Sequence, residues 1–386
     1  MTAAIRWCYL LHVVLIGPGD GADADEAWAV QRIVGWESID AMPADIGLLF
    51  RAHRATFERG ISEPGEGWTR ERTMRERACW HELGADLTAV EQSHEARVEA
   101  CRSFPRDEIE ARRLYQTRAY AKGGRLPWAI DECYRLLVEA FKGGEVEEVV
   151  LRAGHLVHFV SDGANPFRVS VNGDGSATGN VIIGSGRGVH ARSIYRSVRQ
   201  RFEMGLMGRY AEAYGEAIVL SPADYQPVWE PVPATFEFAE DSLRVLDRVA
   251  KADRETITRL EIVDRKSFAA QEDAYFSAMD ASCREVCVDR LRAASLLAAN
   301  LIGGAWQTAG SPIAESIGLR GSRETVTRPS ADVDMTAALL GSRHSNVFHR
   351  RDCQFAKRIS LDNVVTFASA LEARQSGRRA CKACQP

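Results

Sequence analysis

The chain has 386 residues, 45% of them hydrophobic, and a formal charge of −4. That length exceeds the needs of one compact core and implies a large domain with a smaller one beside it. The composition is that of a globular chain, and with no apolar run of about 18 residues or more a stable membrane span is excluded.

The first residues, "MTAAIRWCYLLHVVLIGPGDGADADEAW", carry Arg6, an apolar run from Trp7 to Ile16 and a small-residue "ADA" ending at Ala24. This layout predicts a secretory signal peptide over residues 1–24 and an exported, periplasmic or extracellular, mature chain. A buried N-terminal helix is the other reading, favoured by His12 within the apolar run. Export would allow disulfides among Cys79, Cys101, Cys133, Cys283 and Cys287, but their spacing does not fix a pairing, and buried free thiols fit as well.

Residues 25–310 have helical periodicity. "DIGLLFRAHRATFERGI", "AIDECYRLLVEAFKGG", "VVLRAGHLVHFVSD", "SVRQRFEMGLMGRYAEAY" and "SCREVCVDRLRAASLLAANLIGGAWQTAG" each repeat apolar residues every three or four positions. An all-α large domain follows. The stretch at 169–188, "VSVNGDGSATGNVIIGSGRG", reads as an exposed excursion between two core helices. Its "GSGRG" has no strand before it and too few residues before the next helix, so no nucleotide cofactor is expected. Residues 311–340 lose the periodicity and read as a linker.

Within the helical region, "HLVHFVSDGANPFR" at 155–168 puts His155, His158 and Asp162 at i, i+3 and i+7, on one helix face. The tail, residues 341–386, contains His349 and Cys353 in an H-x-x-x-C and Cys381 and Cys384 in a C-x-x-C. One imidazole and three thiolates match a closed tetrahedral structural zinc site, with His344 a nearby alternative to His349. So short a unit buries little, and metal binding would supply much of its folding free energy, giving a small α+β zinc-binding domain. The tail also holds nine Lys or Arg against three acids, a net +6. That charge suits either a phosphate-directed surface or a solvated face that balances the thiolates.

"SNVFHRRDCQFAKRI" with "RRACKACQP" resembles the small zinc-binding domain of Ada-type DNA-repair proteins, in a form with a histidine in the metal site. Related modules are also appended to exported nucleases. The resemblance covers about residues 343–386 and implies DNA or another polyanion as partner.

The larger region also has a likeness. "LVHFVSDGANPFR", "NGDGSATGN", "AWAVQRIVG", "MPADIGLLF" and "LLAANLIGGAWQTAG" together resemble the zinc-dependent phospholipase C and single-strand-specific nuclease superfamily over about residues 26–310. That family implies an exported all-α phosphodiester hydrolase with three clustered zinc ions. Clustered ions lower the pKa of a bridging water and neutralise charge developing on phosphate. The resemblance carries ligand roles to His158 and Asp162, which match its H-x-x-x-D, to His81, to Glu203 and to Trp28 near the mature N-terminus.

Other ligand positions depart from the family. Where it has Pro-Leu-His this chain has Pro166-Phe167-Arg168, and the histidine four residues before Glu203 is Arg199. The early histidine is replaced by Gln31 or Arg32, and Glu63 or Glu66 are the nearest carboxylates to the missing early aspartate. Arginine stays protonated and cannot ligate a cation. His155 and His190 are candidate substitutes, with His190 an alternative anchor for the later motif.

Two functions follow. One is an exported metal-dependent phosphodiesterase acting on nucleic acid or phospholipid, with none to two zinc ions in a reduced centre and His158 and Asp162 catalytic. The other is a catalytically inactive binding or scaffold protein, in which Arg168 and Arg199 pair with Asp162 and Glu203 in place of metal, and the zinc tail contacts a polyanion.

Overall fold

The computed structural model describes residues 28–66, 78–91, 93–118, 123–183, 195, 197–221, 223–312, 339–342, 347–353, 355–359, 364–375, 378–381 and 384–386. The expected signal peptide, His190, His344 and most of the expected linker lie outside the described residues. No described helix is long and apolar enough to cross a membrane.

The large domain is helical. It contains α1 (Ala29–Ala41), α2 (Ala44–Ala52), α3 (Arg54–Glu66), α4 (His94–Ser103), α5 (Glu108–Thr117), α6 (Leu126–Gly143) and α7 (Val146–Gly163). After the excursion come α8 (Val198–Gln200), which runs into a π-helix over Arg201–Met207, then α9 (Ala211–Gly215), α10 (Pro231–Arg259) and α11 (Arg265–Thr308). Local chemistry sets several ends. The Ser93 and Asp107 side chains accept from the amides of Ala96 and Glu110 and cap α4 and α5. Gly144, at φ 71°, closes α6 in the left-handed region. Asp264 and Ser267 form a capping box on α11.

Helix α7 is the centre of the domain. Val149, Val150, Ala153, Leu156, Val157, Phe159 and Val160 are all buried, so apolar residues cover more than one face, as a helix enclosed by others requires. It packs on α3 and α6, with α11 and α1 also against it. The α3 crossing depends on two glycines: a Cβ at Gly60 would stand 2.4 Å from the Leu151 carbonyl oxygen, and one at Gly154 2.7 Å from the Gly60 backbone. This close approach brings the α3 backbone and Glu63 within reach of the histidines on α7.

Two helical expectations break locally. Residues 45–61 are two helices, parted at His53, rather than one. Residues 197–214 include the π-helix, so their winding is not that of a continuous α-helix.

The excursion is a correction: its first part is buried rather than exposed. Val169, Ser170, Asn172 and Asn180 are all buried. Buried polar backbone is tolerated where it has partners. The Ser170 hydroxyl and the Val171 amide donate to Asp86, at 2.6 and 2.7 Å, and Asn172 Nδ2 donates to Thr178 at 2.9 Å. Asn180 Nδ2 donates to Asp253 at 2.7 Å. Asp253 also receives two of the Arg201 guanidinium nitrogens at 2.7 Å and the Tyr275 hydroxyl, and Arg201 donates to the Val181 carbonyl at 3.1 Å. That network ties the excursion to the π-helix, α10 and α11. Cys101, Cys133, Cys283 and Cys287 are buried free thiols, and Cys79 is half-buried.

The tail is a small α+β unit: β1 (Leu339–Ser342), β2 (Val347–Arg350), β3 (Val364–Phe367), β4 (Arg379–Ala380) and a helix α12 (Ala370–Gln375). Sheet order is β3-β1-β2-β4, with β1 antiparallel to β2 and β3, and β2 parallel to β4. The first strand starts at Leu339, just inside the segment expected to be linker. Its interior is limited to small apolar groups such as Leu340, Ala356, Ile359 and Val364 on one side and Leu339, Phe348 and Phe367 on the other.

Candidate metal centres

The parallel pairing of β2 with β4 sets Phe348 beside Ala380, and so brings His349 and Cys381, the next residues on each strand, to one end of the sheet. The Cys381 amide donates to the Phe348 carbonyl at 2.9 Å and fixes that register. A tight turn, closed by the Cys353 amide on the Arg350 carbonyl at 3.0 Å, returns Cys353 to His349. The Gln385 amide on the Cys381 carbonyl at 2.9 Å folds Cys384 inward. The Arg350 amide then donates to the Cys384 sulfur at 3.3 Å.

The four donor atoms of His349, Cys353, Cys381 and Cys384 all lie within 4.8 Å of one another. His349 Nδ1 and Cys353 Sγ are 3.6 Å apart. Ligands at about 2.1 Å (N) and 2.3 Å (S) from a tetrahedral zinc stand about 3.6 Å from each other, so this donor set could hold a zinc ion. Burial lowers the His349 pKa and favours the neutral imidazole that ligates. Burial acts to raise the Cys353 pKa, but the amides of Phe355 and Ala356 and the neighbouring thiols outweigh it and bring it below the usual thiol range. Burial and the neighbouring thiols push the Cys384 thiol up to about 11, against the Arg350 amide.

The second cluster is in the helical domain. His81 lies at the end of a 3-10 turn, Ala78–His81, and His158 and Asp162 are on α7. His81 Nδ1, His158 and Asp162 offer donor atoms within 4.8 Å. His158 is 1% exposed and Asp162 2%. His158 Nδ1 donates to the Ile61 carbonyl of α3 at 2.7 Å, which leaves Nε2 unprotonated and 3.7 Å from Asp162 Oδ2. Burial drives the His158 pKa down to about 4, so the ring is neutral. His81 Nδ1 is 2.6 Å from Asp162 Oδ2. Two ligands sharing a tetrahedral ion at about 2.1 Å would stand about 3.4 Å apart, so this spacing is that of a direct hydrogen bond.

Arg168 closes the cluster. Its Nε is 3.5 Å from Asp162 Oδ1. The same guanidinium takes both oxygens of Glu203 in a bidentate pair, Nε to Oε2 at 2.9 Å and the second nitrogen to Oε1. Its remaining nitrogen donates to the His81 carbonyl at 3.4 Å. Burial acts to raise the Asp162 pKa, but Arg168, then His81 and His158, hold the carboxyl well below the usual carboxylate range. Burial acts against the Arg168 charge, and Asp162 and Glu203 outweigh it. The cation is therefore fixed between two carboxylates.

The other expected residues are placed as follows. Trp28 lies near the site, its ring tilted at 51° to that of His158 with the centroids 5.4 Å apart. His155 turns away from the cluster to Glu63 Oε2, at 2.8 Å. Glu203 also accepts from Asn165 Nδ2 at 3.0 Å and is held by Arg168 rather than aimed at the His81 group. Arg199 does not pair with Glu203: it donates to Glu82 Oε1 at 2.7 Å. The π-helix that begins at Arg201 removes the i, i+4 alignment that would have put Arg199 over Glu203. Gln31 is buried on α1, outside the donor group. Glu82 and Asn165 are partners that motif reading missed; Glu82 directly follows a candidate ligand, which is the only signal it carried.

The residues do not fit a three-ion centre. Among the described residues the helical domain gathers three donor side chains at one point, and the guanidinium of Arg168 is paired with Asp162 and Glu203 beside them. No protein-family model matches the chain, and no curated protein matches it.

Proposed function

We propose that this protein is a non-hydrolytic binding or scaffold protein, in which a helical domain of the phospholipase C and nuclease type carries a fixed arginine in place of its metal ions. A zinc-stapled tail supplies the contact with a polyanion. The observation that carries the reading is the guanidinium of Arg168 held by Asp162 and Glu203 together. A cation so placed neutralises the carboxylates that would otherwise bind metal, and it adds no ligand and generates no nucleophilic water. In the tail, the imidazole and three thiolates hold structural zinc, which the small interior of that unit needs for stability. Export through the predicted signal peptide belongs to the same reading.

Metal analysis with an activity assay tests it. Purified protein should contain one zinc per chain, lose it in Cys381→Ser/Cys384→Ser, and fail to hydrolyse an activated phosphodiester. A second reading has its own support: His158 donates Nδ1–H to a backbone carbonyl, the usual way a metal-binding histidine is oriented. On that reading His81, His158 and Asp162 hold a single ion in a phosphodiesterase. It requires chelator-sensitive hydrolysis that His158→Ala abolishes.

A further inference from the structure

The tail has an open cleft of about 580 Å³ lined by Arg350, Arg351 and Lys357, with Asp352, Leu339 and Pro386. Arg351 and Lys357 are exposed, and Arg350 is anchored by a 3.0 Å bond to the Gln385 carbonyl. Its charged lining side chains are three cations and one acid. All of them sit on the segment built around the zinc ligands: Arg350 and Arg351 follow His349, and Lys357 lies four residues beyond Cys353. The segment also displays Phe355, 41% exposed although large and apolar, with its ring 6.2 Å from that of His349.

An exposed Phe alone is ordinary, and so is a basic surface. Together on the segment around the zinc ligands they form the two parts that single-stranded nucleic acid requires: cations that track the phosphates and an aromatic face on which an unpaired base stacks. A duplex offers no free base face for such a ring. A bilayer is flat, and cations lining a concavity are better reached by a chain of phosphates than by headgroups in a plane.

We propose that this segment is a single-stranded nucleic-acid site, with Arg350, Arg351 and Lys357 on the phosphates and Phe355 stacked on a base. The inference rests on the reading of the tail as a polyanion contact. It adds the strand preference and the residues.

The test is fluorescence anisotropy on the zinc-loaded full chain, with a labelled oligothymidine, a duplex of equal length, and anionic vesicles as separate arms. Single strand should bind more tightly than duplex or vesicle. Phe355→Ala should weaken single-strand binding by roughly 5- to 150-fold, the loss of about one stacked base, with an unchanged salt slope. Phe355→Trp should retain binding. Arg351→Gln/Lys357→Gln should reduce the slope of log affinity against log salt by about 1.4, two phosphate contacts on a single strand. Zinc content, measured on every variant, confirms that each is folded. Equal or tighter duplex binding, or a silent Phe355→Ala, overturns the proposal while leaving the polyanion reading intact. Binding in none of the three arms overturns both.

Discussion

The two clusters of metal-binding side chains differ in what neutralises them. In the tail, His349, Cys353, Cys381 and Cys384 converge, and backbone amides approach the Cys353 and Cys384 sulfurs. In the helical domain, His81, His158 and Asp162 converge in the same way, but Arg168 is already seated against Asp162 and Glu203. On the proposed reading, convergence of donors alone does not specify a metal site. The charge that the remaining neighbours leave uncompensated decides whether an ion is needed.

The comparison is most strongly tested by removing zinc. Structural zinc in so small a unit is worth about 10–16 kcal/mol of apparent binding free energy, nearly all of it folding free energy. Chelation should melt the sheet of the tail while the helical domain keeps its melting temperature, as followed by hydrogen exchange resolved by segment. Loss of protection on α7 in the same experiment would break the distinction.

Removal of the helical domain's own cation comes next. Arg168→Leu leaves the buried Asp162 and the half-buried Glu203 without their shared cation, and should cost about 3–5 kcal/mol in a denaturant melt. An effect under about 1 kcal/mol would mean that the guanidinium does not hold the centre.

Titration gives a smaller, directional effect. The folded-state pKa of His158 is lowered to about 4 by burial. Between there and the unfolded value near 6.5 the unfolded chain takes the proton first, by about 1.4 kcal/mol per pH unit. The contribution of His158 is thus complete above about pH 6.5 and is lost as pH falls toward 4. The stability difference between the wild type and His158→Gln should change across that window and be flat on either side. A difference independent of pH contradicts a buried neutral ring. Smallest of all is the outer pair: Arg199 and Glu82 are partly exposed, and Arg199→Ala should cost about 1 kcal/mol or less.

Much of this contrast was legible in the chain because both clusters are built from short-range spacing. The tail's ligands come in an H-x-x-x-C and a C-x-x-C, and only the strand pairing that joins them is long-range. His158 and Asp162 lie on one helix, so the helical period placed them together, and the family resemblance set Arg168 of the following turn beside them. Two things were not legible. Arg199 and Glu203 look like an α-helical pair, but a π-helix starts between them and sends Arg199 to Glu82. The glycine- and asparagine-rich stretch from Val169 looks exposed, but carboxylates distant in sequence, Asp86 and Asp253, satisfy its polar groups and let it be buried. Local composition contains neither fact.

The central claim is that Arg168 fills the place of metal in the helical domain while the tail alone takes zinc. Zinc content of the purified full-length chain, before and after Cys381→Ser/Cys384→Ser, tests it most directly. The account predicts one zinc per chain falling to none. Two or more zincs, or one that survives the double substitution, would contradict it.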